Sequence, residues 1–276
     1  MLDLDAIYEV VVYATGDTKT GAKMGKLQLK NTENDSLLNC ILWEDTLKRI
    51  DEKLFRTGNL LKIISGTFNP QYNNCLVSAL ELIKEAKLGI TTEEQNTTFE
   101  KIVAYAQKIN DTKLQQYVSS LLFEHEEKLK VTPAAKLMHH NYVGGLLVHT
   151  LECLEYAESI CSNLNKKIDL DKVYAACILH DFGKIFEYNI NVETGLIEYN
   201  NEFKKNWLTH SQWGYSNCMT NGFIDVAKMI ATHHGRTEWG ALVDLNEKDL
   251  EPIDYIVHHI DDLSAKFGKI NIADLN

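Results

Sequence analysis

The chain has 276 residues, 45% of them hydrophobic, with three prolines and a formal net charge of −11, the profile of an ordinary globular protein with one large or two modest domains. No window approaches 18 uninterrupted apolar residues, which excludes a membrane-spanning helix, and "MLDLDAIYEV" carries acids where a secretory signal would carry lysines, so a cytoplasmic location is expected. The excess of acid argues at first against a polyanionic partner, yet residues 1–90 hold 11 Lys and Arg against 12 Asp and Glu while the remainder holds 17 against 27, so the first third is the less repulsive surface for a phosphate backbone.

Residues 1–88 alternate with the period of strands: "IYEVVVYAT", "GKLQLKN", "LLNCILW", "NLLKIISGTF" and "CLVSALEL", with a brief helical segment "EDTLKRIDEKLF" after the third and a turn signal, "NPQYNN", before the last. Five short strands with that insertion predict a small closed barrel of the OB type, a fold that grips single strands by stacking bases on aromatic side chains. Tyr13, Trp43, Phe68 and Tyr72 are the available platforms, with strand packing as the alternative use of each. Residues 89–97, "GITTEEQNT", are polar and predict a linker. From there the period becomes 3.6, which predicts an all-helical domain over 98–276: a helix opening at Thr97 or Thr98, then helices near 112–128, 143–164, 170–182, 207–221, 223–234 and 250–267. Gly235 and Gly268 stand where a left-handed cap is wanted, and Pro252 falls in a first turn. The fold class is therefore α+β, a small OB-type barrel followed by a helical bundle. The six cysteines are scattered with no CxxC pair and are expected to be reduced and structural.

The helical faces carry polar residues that a buried seam does not need. His149 sits beside the stripe Val143, Leu146, Leu147, Leu151 and Leu154, where a hydrogen-bonded structural histidine is the ordinary expectation. His180 and Asp181 end "CILHDFGK", followed by Gly183, read as closing the turn, and by Lys184. His210 opens "HSQWG", His233 and His234 end "IDVAKMIATHHG", and Asp261 flanks the stripe of the last helix. Separate satisfaction of so many buried polar groups is uneconomical, whereas one bundle would let them converge. Imidazole nitrogens with carboxylate oxygens suit a borderline divalent ion such as Mn, Fe, Co, Ni or Zn. A carboxylate shared by two ions, here Asp181, suits the two-metal geometry of phosphoester hydrolysis, and Lys184 can neutralise a phosphate oxygen or, alternatively, meet the helix dipole.

The ordered set His149, His180-Asp181, Lys184, His210, His233-His234 and Asp261 resembles the HD-domain metal-dependent phosphohydrolases. More closely, "HHNYVGGLLVHT", "ILHDFGKIFE", "HHGRTEWG" and "HHIDDLSAKFG" look like the corresponding blocks of the YhaM-type 3′-to-5′ exoribonucleases of low-GC Gram-positive bacteria, which also carry an N-terminal OB domain. The resemblance implies His149, His180, Asp181, His210, His233 and Asp261 as metal ligands, His234 as a ligand or phosphate contact, and manganese as the metal. His139 and His140 match the family block and are expected on the substrate side, with a helix-entry pair bonded to backbone as the alternative, and His258, one turn before Asp261, is expected to orient a ligand. Asp262 and Ser264 depart from the polar residues expected in the last block, and "EYNINVETGLIEYNNEFKKNW" is acidic and irregular, a difference in substrate preference rather than in the metal centre.

The function expected is a metal-dependent 3′-to-5′ exonuclease on single-stranded RNA, with Asp181 and Lys184 as catalytic groups and about two ions per chain. A nucleotide or dinucleotide phosphohydrolase needs the same centre without a strand-binding groove. A single-strand or replication-origin DNA-binding protein with a structural metal site is the reading from another class.

Overall fold

In the computed structural model, described for residues 2–267 apart from 19, 137, 138, 166, 194 and 207, the chain divides after residue 87 into two units. The first is a closed five-stranded barrel of β1 (Ile7–Asp17), β2 (Lys23–Asn31), β3 (Leu37–Trp43), β4 (Leu60–Asn69) and β5 (Asn74–Lys84), in the order β1-β2-β3-β5-β4. A helical turn α1 (Glu44–Leu47) and a 3-10 turn (Glu52–Phe55) follow β3. The sequence alternation explains the closure: Tyr8 and Val10, Leu27 and Leu29, Cys40 and Leu42, Leu61 and Ile63, and Cys75 and Val77 all face the interior, where Phe55 plugs one end of their cluster. Four of the five seams are antiparallel; the fifth joins β3 to β5 in parallel through only Cys40↔Cys75 and Ile41↔Leu76.

Asn59, fully buried just before β4, holds this unit at a corner. Its Nδ2 donates to the carbonyls of Lys53 and Leu54, both at 3.0 Å, and its Oδ1 accepts from the Ala86 amide at 2.8 Å, tying the 3-10 turn to the segment after β5. Truncation would leave three buried backbone groups without partners.

The second unit is helical. The polar stretch 89–97 is not a linker: the Ile90 amide bonds to the Val143 carbonyl at 3.2 Å, and the Val143 amide bonds back to Leu88 at 2.9 Å, so the segment lies along the loop before a later helix. Thr91 and Glu94 then form a reciprocal capping box that starts α2 (Thr92–Gln107) five residues ahead of the expected point. The expected helix 112–128 is broken at His125 into α3 (Thr112–Glu124) and α4 (Glu126–Val131). Next come α5 (Gly145–Cys161), α6 (Leu170–Leu179) and the single turn α7 (Lys184–Glu187). Residues 188–205, read as irregular, form a hairpin of β6 (Tyr188–Asn191) and β7 (Leu196–Tyr199) and then α8 (Asn201–Lys205). The chain closes with α9 (His210–Thr220), α10 (Ile224–Thr232) and α11 (Ile256–Phe267), the last preceded by a 3-10 turn with Pro252 at its start. Gly235 takes the left-handed conformation expected of it, φ +79°, while Gly268 lies outside the described residues.

The centre of this unit is α6, whose residues from Val173 to Leu179 are all buried. It packs against α2, α3, α5, α10 and α11, so whatever stands at its C-terminal end is delivered to the middle of the bundle. Among the described residues no helix is long and apolar enough to cross a membrane.

Replacing Asn59 with Ala is expected to cost the barrel about 2–4 kcal/mol, measured as a lower urea midpoint for unfolding of that unit. An unchanged midpoint would show that water replaces all three bonds.

Candidate metal centre

His180 and His233 occupy equivalent places at the ends of α6 and α10, each as the C-cap residue. The last carbonyls of a helix lack partners, and here the ring supplies one: His180 Nδ1–H donates to the Cys177 carbonyl at 2.9 Å and His233 Nδ1–H to the Ile230 carbonyl at 2.6 Å. Each bond fixes the tautomer and turns Nε2, with its lone pair, away from the helix. His210, at the start of α9, is held similarly, with Nδ1–H donating to Glu187 Oε2 at 2.6 Å and its backbone amide donating to the same oxygen at 3.1 Å.

Asp181, 3% exposed, divides these nitrogens into two sets. Its Oδ2 lies 3.4 Å from His149 Nε2 and 3.6 Å from His180 Nε2, and accepts a hydrogen bond from Lys184. The same His149 Nε2 is 3.1 Å from His180 Nε2 and 3.3 Å from Asp261 Oδ1. On the other side, Asp181 Oδ1 lies 3.5 Å from His210 Nε2 and 3.8 Å from His233 Nε2, and His210 Nε2 faces His234 Nε2 at 2.9 Å. All the ligands implied by the resemblance are therefore brought together, with His149 fully buried and His234 and Asp261 toward the exposed side.

The charge state suits metal binding. Burial, with neighbouring rings, pushes His180 down, His233 well down and His234 to about 4, so these imidazoles are neutral near pH 7. Burial alone would raise Asp181, but the Lys184 ammonium and the surrounding histidines outweigh it and hold the carboxyl well below its usual range. Asp261 is likewise held low, its interactions with His149 and then His180 outweighing burial. Neutral imidazoles and ionised carboxylates are the forms that ligate divalent ions. Two observations test the fit. His233 Nε2 is buried with no hydrogen-bond partner, and the Nε2 atoms of His149 and His180 and of His210 and His234 converge in pairs at 3.1 and 2.9 Å, close enough to share a cation.

Other expected residues fall differently. Lys184, 8% exposed, is turned inward onto Asp181. Gly183 is not needed to end a turn, since its φ is an ordinary −58°; it is small because a Cβ there would lie 2.6 Å from His210 Cα and 2.7 Å from the His210 carbonyl oxygen. His139 and His140 lie beside His149, each with ring centroids 5.5 Å from it, and His139 is pushed by burial to about 4. His140 is buried at a left-handed φ of +52°. His258 Nδ1–H donates to the His233 carbonyl at 2.7 Å, anchoring the backbone of one of the converging histidines. His125 packs against Phe182 and Phe186.

Of the barrel aromatics, Tyr13 is not a free platform: it stacks on Phe55 with centroids 4.4 Å apart, and its hydroxyl is buried. Phe68 is partly buried, whereas Trp43 and Tyr72 are exposed. Trp43 stands on the outer face of β2 and β3, where Met24↔Trp43, Lys26↔Ile41 and Lys30↔Leu37 pair across the strands. Sequence reading missed Glu187; its only signal was an acid in the turn after "HDFGK".

Residues 146–266 match the HD domain family, a span that contains every one of the converging ligands from His149 to Asp261. The helical unit thus carries an HD domain, which points to a metal-dependent phosphohydrolase. Residues 79–169 match a family described as a putative helicase. No solved structure matches the chain.

Gly183→Ala is expected to push the start of α9 outward, costing about 1–3 kcal/mol as overpacked sites do. The loss should appear as a lower melting temperature without metal and a smaller rise on adding Mn²⁺. A variant that melts and responds to Mn²⁺ like the unaltered chain would rule out the close approach.

Proposed function

We propose that the chain is a phosphodiesterase that removes nucleotides from the 3′ end of single-stranded RNA, with two divalent ions, manganese as the working metal, held around Asp181. The observation that carries this is the division of donors: Asp181 Oδ2 with His149, His180 and Asp261, and Asp181 Oδ1 with His210, His233 and His234. Ions held by those sets would polarise the phosphodiester and supply an activated water for in-line attack.

The chain's own residues prepare this. Asp181 stays ionised because Lys184 and the rings around it offset its burial, so it can serve both sets at once. Bonds from Nδ1 of His180 and His233 leave their Nε2 lone pairs free and aimed, and the bond from Nδ1 of His210 to Glu187 sets the direction of its ring. The Lys184 ammonium, seated among the donors, is the cation available to a phosphate oxygen as charge builds there. His139, beside His149 and half-exposed, is suited to the scissile group's flank.

Support for a polymeric substrate comes from the barrel. The outward face sets Trp43 beside Met24 and carries on along β2 with Lys26, Gln28 and Lys30, the last paired with Asp35, so that a stacking surface adjoins positive charge, the combination that holds a single strand without reading its sequence. The likeness of 79–169 to a helicase family is in keeping with a nucleic acid rather than a free nucleotide. Hydrolysis of a nucleotide or dinucleotide is the competing reading, favoured by the near-neutral balance of the first 90 residues.

With Mn²⁺ and 5′-labelled single-stranded RNA, the chain should yield a ladder shortening from the 3′ end, and Asp181→Asn should slow it more than about 100-fold, beyond the cost of losing an outer partner. Trp43→Ala should raise KM for the RNA while leaving hydrolysis of bis(p-nitrophenyl) phosphate unchanged. If small diesters and nucleotides are cleaved and RNA is not, the nucleotide phosphohydrolase reading replaces this one.

A further inference from the structure

His149 is the only one of the four histidines nearest Asp181 whose Nδ1 meets neither a backbone carbonyl nor a carboxylate directly. It meets a hydroxyl, Ser264 Oγ, at 2.9 Å. A serine is a weak orienting partner unless its own proton is committed elsewhere, and here it is: Ser264 Oγ–H donates to Glu152 Oε2 at 2.7 Å. A carboxylate only accepts, so the oxygen of Ser264 is left to accept from His149 Nδ1–H. The direction of both hydrogen bonds follows, and with it the tautomer of His149.

The helix geometry makes the arrangement from two pairs of residues at the same spacing. On α5, His149 and Glu152 are three apart and share a face; on α11, Asp261 and Ser264 are three apart and share a face. Where the two helices pack, Asp261 Oδ1 reaches His149 Nε2 at 3.3 Å and Ser264 reaches both Nδ1 of that ring and the Glu152 carboxylate. Ser264 thus holds the ring at Nδ1, while the Nε2 lone pair and Asp261 Oδ1 of the same helix face each other as two donor atoms for an ion. The Glu152 carboxyl is held below its usual range, the nearness of His140 and the hydrogen bond from Ser264 outweighing its burial, and its Oε2 lies 3.2 Å from His140 Nε2.

We infer that Ser264 and Glu152 are positioning residues for the ion on the Asp181 Oδ2 side: a hydroxyl-relayed carboxylate sets the His149 ring and raises its strength as a ligand. Glu187 does the same for His210 without an intermediary. Each half of the centre then has its own carboxylate behind a histidine, one direct and one relayed, and the two halves respond separately to substitution. The inference rests on the metal reading above, though not on the choice of RNA as substrate.

The test is titration of the metal-free full chain with Mn²⁺ by calorimetry and with Co²⁺ by ligand-field absorption. Ser264→Ala and Glu152→Gln should each weaken one of two binding steps by about 10- to 100-fold, the usual cost of losing an outer partner, and leave the other step unchanged. Ser264→Thr keeps the hydroxyl and should restore both the affinity and the cobalt spectrum, which a purely packing role for Ser264 would not do. Glu152→Gln is nearly isosteric, so it tests the relay even if Ser264→Ala fails to fold. Affinities unchanged by both substitutions, or a threonine variant as weak as alanine, would overturn the relay alone. An unaltered chain that binds no ion would overturn the metal reading together with it.

Discussion

A carboxylate in the middle of a helical bundle is the constraint on which the second unit depends. Asp181 is nearly inaccessible to solvent, and a charge in that position is costly unless it is compensated on every side. The bundle is arranged to do so: α5, α9, α10 and α11 each turn a histidine or carboxylate toward α6, and α7 adds a lysine. Helix packing and site geometry are therefore one problem, because the seams that would otherwise be closed with leucine are closed with donors.

The same compensation explains the order of the chemistry. An isolated Asp181 would be driven toward its neutral form, but the Lys184 ammonium foremost holds it ionised, while burial holds His180 and His233 neutral. An ionised carboxylate beside neutral imidazoles is the state that accepts a cation. Bonds at Nδ1 complete the preparation, two of them to carbonyls that the helix ends leave over.

Much of this was legible in the residues. The strand period marked all five barrel strands nearly to their ends, since each buries a run of alternate residues, and the converging histidines and aspartates were readable because they recurred beside apolar stripes. What was missed has physical reasons. The β6–β7 hairpin has four-residue strands with mostly exposed side chains, so it carries little periodic signal. The start of α2 is polar through its first two turns, and only the Thr91–Glu94 spacing announced it. Tyr13 could not be told from a free platform until Phe55 was seen beneath it. Glu152 and Glu187 drew no reading and Ser264 stood out only as a departure within the last block; nothing local reveals that Ser264 and Glu152, 112 residues apart, meet.

The hairpin between α7 and α9 leaves and returns at nearly one point: Asn200 bonds through its amide to the Glu187 carbonyl and through its side chain to that of Phe186, and Glu187 itself grips His210. The excursion is stapled shut at its base by groups that belong to the donor cluster's own support. Length and sequence beyond that staple are therefore decoupled from the chemistry. Substitutions in the two strands of that hairpin should leave the Glu187 grip on His210 in place so long as the Asn200 staple holds.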